Sequence, residues 1–197
     1  MKLEQRKTDK SRMDGYLTGK LLVANPFLED TNFMQSVIYV CGHDANGAIG
    51  LTINKPLSDL TVKNLFTQLR IESPFEMEGV IVHYGGPTEM NRGFVLHTTD
   101  YNAETTVVIN DHFAVTSTLE ILRAIAQGTG PEDFCICLGY IGWTAGQLDQ
   151  EIQENGWIVV DSNTGLVFDS CLKTKWRDSF ATIGVDPSIL TFEIGHA

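Results

Sequence analysis

The pattern of apolar positions in the first third of the chain predicts a β-hairpin. Residues 36–41 (SVIYVC) and 48–54 (AIGLTIN) are rich in β-branched and other apolar side chains, which is typical of strands. Between them, residues 44–47 (DANG) have the composition of a tight turn. Lys55–Pro56 follows, and we expect the proline to end the second strand because it has no N–H group to donate.

The remaining pattern predicts further strands and short helices. Ser117 with Glu120, and Thr144 with Gln147, have the spacing of capping boxes at helix starts. Strands are predicted at 80–84, 93–97, 105–109, 134–140 and 157–160, and helices at 61–69, 117–127, 144–155 and 173–183. Hairpin strands come first and helices are interleaved later. This order predicts an α+β (α/β mixed) fold with a mostly antiparallel or mixed sheet, not a doubly wound one.

Length and composition are those of one globular domain. The chain has 197 residues, of which 43% are hydrophobic and 20% charged. It contains no apolar run long enough to span a bilayer, and its polar N-terminus does not resemble a signal peptide. We therefore expect a flexible leader (residues 1–14), a domain (residues 15–197) and a cytoplasmic protein that does not associate with a membrane.

The cysteines support that expectation. Cys41, Cys135, Cys137 and Cys171 match neither zinc-site nor CxxC spacing. Cys135 and Cys137 are two positions apart in an apolar run, so on a strand they share one face. We expect both to be buried and reduced, as in other cytosolic proteins.

The charge distribution argues against general nucleic-acid binding. Fourteen Lys and Arg stand against 25 Asp and Glu, for a net charge of −11, and the basic residues are concentrated near the two ends of the chain. Affinity for nucleic acid depends on clustered basic groups that neutralise phosphates. Nucleic acid is therefore an unfavoured partner.

Several long blocks resemble the YqgE/AlgH family. They are YLTGKLLVANP (16–26), residues 30–56 from DTNF to INKP, VHYGGPTEMNRGFVLH (82–97), LGYIGWTAGQLDQEIQENGWIV (138–159) and the ending GHA (195–197). The resemblance implies a single domain with a bifurcated mixed sheet, part of it closed as a small barrel, surrounded by helices. The family is largely uncharacterised. Some members are labelled transcriptional regulators linked to alginate production, and no accepted active site carries over.

Two glycine-rich segments suggest anion binding. Residues 139–146 (GYIGWTAG) are expected to turn from a strand into a helix, where backbone N–H groups around Gly142 and Trp143 could hold a phosphate or carboxylate. The segment lacks the P-loop pattern. The alternative is close strand–helix packing, with Trp143 in the core.

The second segment follows the strand at 80–84. Our hypothesis is that Lys55, Arg92 and the amides of Gly85 and Gly86 converge on one small-anion pocket, and that Asn54 and His97 border it. The alternative is that Lys55 and Arg92 form structural ion pairs with the abundant carboxylates.

No motif indicates an enzyme, a cofactor or a metal. The histidines are scattered, with neither HxxxH nor HExxH, and there is no GxSxG sequence. The favoured interpretation is a non-enzymatic binding or regulatory module that acts on a protein partner or a small anionic ligand. The alternatives are a transcriptional regulator acting on or near nucleic acid, and an unrecognised enzyme with an anionic substrate.

Overall fold

The computed structural model describes residues 16–169 and 171–189. The predicted leader (1–14) and the ending GHA (195–197) lie outside the described residues. The strands are β1 Lys20–Ala24, β2 Val37–Asp44, β3 Gly47–Thr52, β4 Pro56–Thr61, β5 Ile81–Tyr84, β6 Thr88–His97, β7 Val107–Val108, β8 Ala114–Thr116, β9 Phe134–Thr144 and β10 Trp157–Asp161. The helices are α1 Val62–Gln68, α2 Leu119–Ala126, α3 Gln147–Gln153 and α4 Lys175–Ala181, with a single π-helical turn at Gly165–Asp169 and a 3₁₀ turn at Pro187–Ile189.

The strands form one mixed sheet in the order β10-β1-β2-β3-β9-β6-β8-β7. Their pairings are antiparallel except that between β5 and β9, which is parallel. The predicted hairpin is β2–β3, with Asp44 opposite Gly47. Among the described residues, β10 and β7 end the sheet and do not pair with each other.

The sheet forks at β9. Residues 136–138 of β9 pair with β5, whereas residues 141–144 pair with β3. Glycines allow this because a Cβ on Gly85 would lie 2.3 Å from the carbonyl oxygen of Gly139, and a Cβ on Gly86 2.3 Å from that of Tyr140. Gly139 also has a φ of +72°, a backbone conformation that residues other than glycine rarely adopt. The glycines of both segments thus let two backbones touch where the sheet divides.

The sheet curls strongly around its inner face. Tyr39 of β2 contacts Phe113, the residue before β8, with 5.0 Å between ring centroids. In a flat sheet these two strands would be four spacings, roughly 19 Å, apart. The inner face carries one apolar cluster with residues from β10 to β6, and the π turn and α4 pack on it. The curl makes this part a half-barrel, not the closed small barrel that the resemblance implies.

Two further clusters cover the outer face. α3 packs on β1, β2, the second half of β9 and β10, and Trp143, Leu148 and Trp157 lie at the centre of that contact. α1 and α2 pack on β5, β6 and the first half of β9. Helices and the curvature of the sheet thus cover the three apolar clusters.

Most elements agree with the sequence-based prediction, but several boundaries do not. The segment 139–146 is not a strand-to-helix turn, because β9 runs without a break to Thr144 and Gly146 is the N-cap of α3. The capping box at Ser117 is also wrong, since Thr118 caps α2 without a side-chain hydrogen bond. Pro56 does not end the second strand, because β3 already ends at Thr52; it begins β4, an edge strand, where a missing N–H group costs little.

Among the described residues, no helix combines the length and the apolar character needed to cross a bilayer.

Candidate functional site

Asn54 and Lys55 serve as connectors in the structure. The Asn54 side chain accepts a hydrogen bond from the Val37 N–H (2.8 Å) and donates one to the carbonyl of Gln35 (2.8 Å). Lys55 Nζ donates to the carbonyl of Asn32. Partial burial lowers the pKa of Lys55, and nearby Asp30 opposes that shift. Both side chains therefore tie the start of β4 to the segment before β2.

The amide of Gly85 does not form an anion nest. Its N–H donates to the carbonyl of Leu138 (2.8 Å), and its own carbonyl accepts from Thr52 (2.9 Å). Gly85 and Gly86 lie against β9 at the fork. The close approach of two backbones therefore explains why glycines occupy both positions.

Arg92 and His97 lie apart from these glycines. Arg92 pairs with Glu89 at 3.2 Å on the exposed part of β6 and lies over the Phe94 ring, a contact of the kind that the ion-pair alternative expects. His97 is fully buried and is held by Thr98 O (2.7 Å) and Thr116 Oγ1 (2.9 Å). It acts as a bridge between strands.

Gly142 and Trp143 lie in β9 and border a cavity of about 410 Å³. The Trp143 indole N–H donates to Glu151 (2.9 Å), and the Trp157 indole N–H donates to the same carboxylate oxygen (2.8 Å). The other oxygen of Glu151 accepts from Gln147 (2.9 Å). We call this group the Glu151 clamp; it fastens α3 to β9 and β10.

The predicted site residues do not line one cleft. Asn54 borders one cavity, and Gly142 and Trp143 border another. Lys55, Gly85, Gly86, Arg92 and His97 line neither of these two cavities. The proposed convergence of Lys55, Arg92 and the glycine amides is therefore not found.

A separate cleft contains two buried ionisable side chains, Lys175 and His83. We call it the Lys175 cleft; its volume is about 760 Å³. It lies between the start of β4, the start of β5, the start of β9, the π turn and the N-terminal end of α4. The described residues that line it are Ile53, Asn54, Pro56, Gly79, Val80, Ile81, His83, Phe134, Cys135, Val167, Phe168, Cys171, Leu172, Lys173 and Lys175. This set includes two lysines and no carboxylate, in a protein of net charge −11.

Lys175 is the unusual residue of the cleft, since only 1% of its surface is exposed. Its Nζ donates to the carbonyls of Leu166 (2.7 Å) and Val167 (2.6 Å) in the π turn. No ion pair with a carboxylate is formed by Lys175 among the described residues. Lysine is almost never fully buried without a partner of opposite charge; here two carbonyls bind the ammonium group directly, and Asp169 and Asp178 act on it only from beyond ion-pair distance.

Local structure explains how the chain places a lysine here. The π turn begins after Asn163, whose side chain accepts from the Leu166 N–H (2.8 Å). A single turn leaves its last carbonyls without partners inside the helix, and Lys175 supplies donors to two of them. The first turn of α4 directs Lys175 inwards while Lys173 remains exposed. π-helical turns occur frequently at functional sites.

Burial keeps two other titratable groups of the cleft, His83 and Cys135, neutral at pH 7. Burial lowers the pKa of His83 to about 4, and its Nδ1 lies 3.2 Å from the carbonyl of Ile136. Burial raises the pKa of the Cys135 thiol to about 11, with nearby Lys175 opposing the shift. Desolvation lowers the pKa of Lys175, and nearby thiols and carboxylates oppose that change. At neutral pH the cleft therefore contains no side-chain anion of its own.

The cysteines agree with the prediction from their spacing. Cys135 and Cys137 are buried, free, and on the inner face of β9. Cys171 is exposed at the cleft. No group of three or more His, Cys, Asp or Glu side chains that could hold a metal ion occurs in the part of the chain that the structure describes.

A further cavity of about 770 Å³ lies between α1, β4 and residues 71–82. It shares Pro56 and residues 79–81 with the Lys175 cleft. Its lining is mainly apolar and includes the exposed ring of Phe75. It contains no buried ionisable group comparable to Lys175.

Few features of the sequence indicate this cleft. Lys175 sits in a predicted helix, where a lysine is normally expected on the solvent face, and a π turn has no recognisable sequence pattern. Asn54 is the one residue of the predicted site that lines the Lys175 cleft. The only available hint was that Lys175, Ser179 and the adjacent Phe180 follow helical spacing on one face.

Comparisons with known proteins give consistent matches along nearly the whole chain. The profile of the AlgH-like family matches residues 21–188. A UPF0301 protein of Rhodospirillum rubrum is 45% identical over 184 residues, which cover 93% of this chain and 96% of the relative. A UPF0301 protein of Methylobacterium nodulans is 45% identical over 190 residues, covering 92% of this chain and 90% of the relative.

Two solved structures have similar folds. The solution structure of the AlgH protein from Pseudomonas aeruginosa superposes with a TM-score of 0.75 at 34% identity, and covers 98% of this chain and 100% of that one. The crystal structure of a Corynebacterium diphtheriae protein gives a TM-score of 0.67 at 19% identity, covering 89% of this chain and 87% of that one. The second likeness concerns the fold alone.

Proposed function

This chain belongs to the AlgH-like family, and we propose that it is a non-enzymatic binding module that takes a small anionic ligand in the Lys175 cleft. The relatives carry no more specific assignment than the family itself. The proposal therefore depends on the chemistry of the cleft.

The charge inventory of the cleft is the observation that carries the proposal. A fully buried ammonium group contacts only two neutral carbonyls, and no carboxylate is among the described lining residues. Burying a charge without a counter-ion costs several kcal/mol. An anion that enters the cleft would recover part of that cost, which gives the site affinity and selects the sign of the ligand's charge.

The same side chains favour binding over catalysis. His83 Nδ1 contacts a backbone carbonyl, and the Cys135 thiol donates to the carbonyl of Val167. A catalytic nucleophile needs a base within hydrogen-bond reach, and these contacts give neither side chain that arrangement. The free cysteines are also in keeping with a cytoplasmic site of action.

Nucleic acid has no part in this proposal. Lys20 pairs with Asp161, Arg92 pairs with Glu89, and Lys175 is buried. The other described basic residues, Lys55, Lys63, Arg70, Arg123, Lys173 and Arg177, are spread along an acidic chain, whereas phosphate backbones require clustered cations. A regulatory role, if the protein has one, would follow from the bound ligand rather than from contact with DNA.

Calorimetric titration tests the proposal with acetate, benzoate, sulfate and inorganic phosphate as probes. We expect at least one of them to bind the wild-type protein, and Lys175→Met to weaken that binding at least tenfold, about 1.4 kcal/mol. Lys173→Met is the matched control, since it removes the same charge from the exposed rim of the same cleft. Its effect should stay within about threefold because solvent screens exposed charges.

Lys175 also caps the π turn, so its replacement could weaken binding through the fold. Ile81→Glu avoids this problem because it adds a negative charge at a position that is 40% exposed and lines the cleft. It leaves both hydrogen bonds of Lys175 in place and should weaken anion binding. Binding that survives both Lys175→Met and Ile81→Glu would place the anion elsewhere and end the proposal.

A further inference from the structure

The charge of the cleft restricts the magnitude of the ligand's charge as well as its sign. Lysine has three N–H donors, and Lys175 uses two of them on the carbonyls of Leu166 and Val167. One donor and one positive charge remain for a ligand. A phosphate ester carries about −1.5 to −2 charges at neutral pH and is usually held by an Arg fork or by several backbone amides.

The described lining residues provide no Arg fork for a phosphate. They include no arginine. His83 does not add a second cation, because its burial keeps the ring neutral at pH 7. Lys173 is exposed at the rim, where its charge is screened. The cleft is thus matched to one negative charge.

The walls of the cleft are largely apolar. Phe134 and Phe168 contribute rings, and Ile53, Val80, Ile81 and Leu172 contribute aliphatic side chains. The volume, about 760 Å³, lies in the range of clefts that hold complete small organic molecules. A bare inorganic anion would leave most of this apolar surface in contact with water.

We infer that the ligand is a monocarboxylate with an apolar body, whose carboxylate meets Lys175 and whose body lies on the wall formed by Ile81, Phe134 and Phe168. This inference rests on the proposed anion-binding function. A nucleotide or a sugar phosphate fits the cleft poorly because its charge is too high and its body too polar.

Calorimetric titration at pH 7 with octanoate, octyl phosphate and 1-octanol tests the inference, because the three probes share one apolar body. We expect octanoate to bind at least tenfold more tightly than either of the others. Ile81→Ser should weaken octanoate binding by roughly three- to tenfold because it removes apolar wall without changing charge.

The outcomes separate the inference from the proposed function. Octyl phosphate binding as tightly as octanoate would overturn the monocarboxylate class but leave anion binding intact. Binding of inorganic anions without octanoate binding would do the same. Octanol binding as tightly as octanoate would contradict both, because the charge of Lys175 would then have no role.

Discussion

Three side chains determine the ionisation of the Lys175 cleft. Lys175 carries the one buried positive charge, and the neutral His83 and Cys135 lie beside it. Because burial raises the pKa of Cys135 to about 11, the thiol does not supply a competing anion at neutral pH. The positive charge of Lys175 therefore remains available to an anionic ligand.

The burial of His83 predicts how the free energy of unfolding depends on pH. Its folded-state pKa of about 4 lies below the ordinary histidine value of 6.5, so between these pH values the unfolded chain binds a proton that the folded protein does not. The contribution of His83 is constant above pH 6.5, and stability is lost as the pH falls towards 4. The loss between pH 7 and pH 4.5 should be about 2 to 3 kcal/mol.

Urea denaturation of the wild type and His83→Gln at both pH values measures this loss. The variant should lose less stability on acidification, although part of the loss will remain because burial also lowers the pKa of His97. Equal losses in the two proteins would show that His83 is protonated in the folded state.

The Glu151 clamp carries much of the attachment of α3. One carboxylate oxygen accepts from both Trp143 and Trp157, and both rings are 6% exposed. Glu151→Ala would leave two nearly buried indole N–H groups without a partner. We expect a loss of about 2 to 4 kcal/mol in the free energy of unfolding, measured by chemical denaturation.

Glu154→Ala provides the control on the same helix. Glu154 is exposed and accepts from Gln150, so its removal should cost less than about 0.5 kcal/mol. Similar effects from the two alanine variants would mean that the clamp contributes no more than an exposed pair.

Elements with strong local signals were predictable from the sequence, and elements defined by distant contacts were not. The β2–β3 hairpin and α1 follow from turn chemistry and apolar spacing within one segment. The sequence pattern predicts that β9 ends at residue 140, because the glycines in its second half resemble a turn. Their true cause is the backbone of Gly85 and Gly86 pressed against them, a contact between segments some fifty residues apart that no local pattern contains.

The Lys175 cleft is a property of the whole molecule. It joins the starts of β4, β5 and β9, the π turn and the start of α4, so its residues span positions 53 to 175. The pairing of β4 with β5 and of β5 with β9 brings the strand segments together, and the hydrogen bonds of Lys175 hold the π turn to α4. Glycine-rich motifs could be read from the sequence, but the burial of one lysine among neutral groups could not.

Cysteine footprinting tests the location of the ligand most directly. Cys171 is exposed and lines the cleft. Alkylation of Cys171 by iodoacetamide, followed by mass spectrometry, should slow about tenfold when octanoate is present at ten times its Kd, while free glutathione in the same mixture serves as the reference thiol. A Cys171 rate that does not change while calorimetry reports saturation would place the ligand outside the Lys175 cleft and contradict the account.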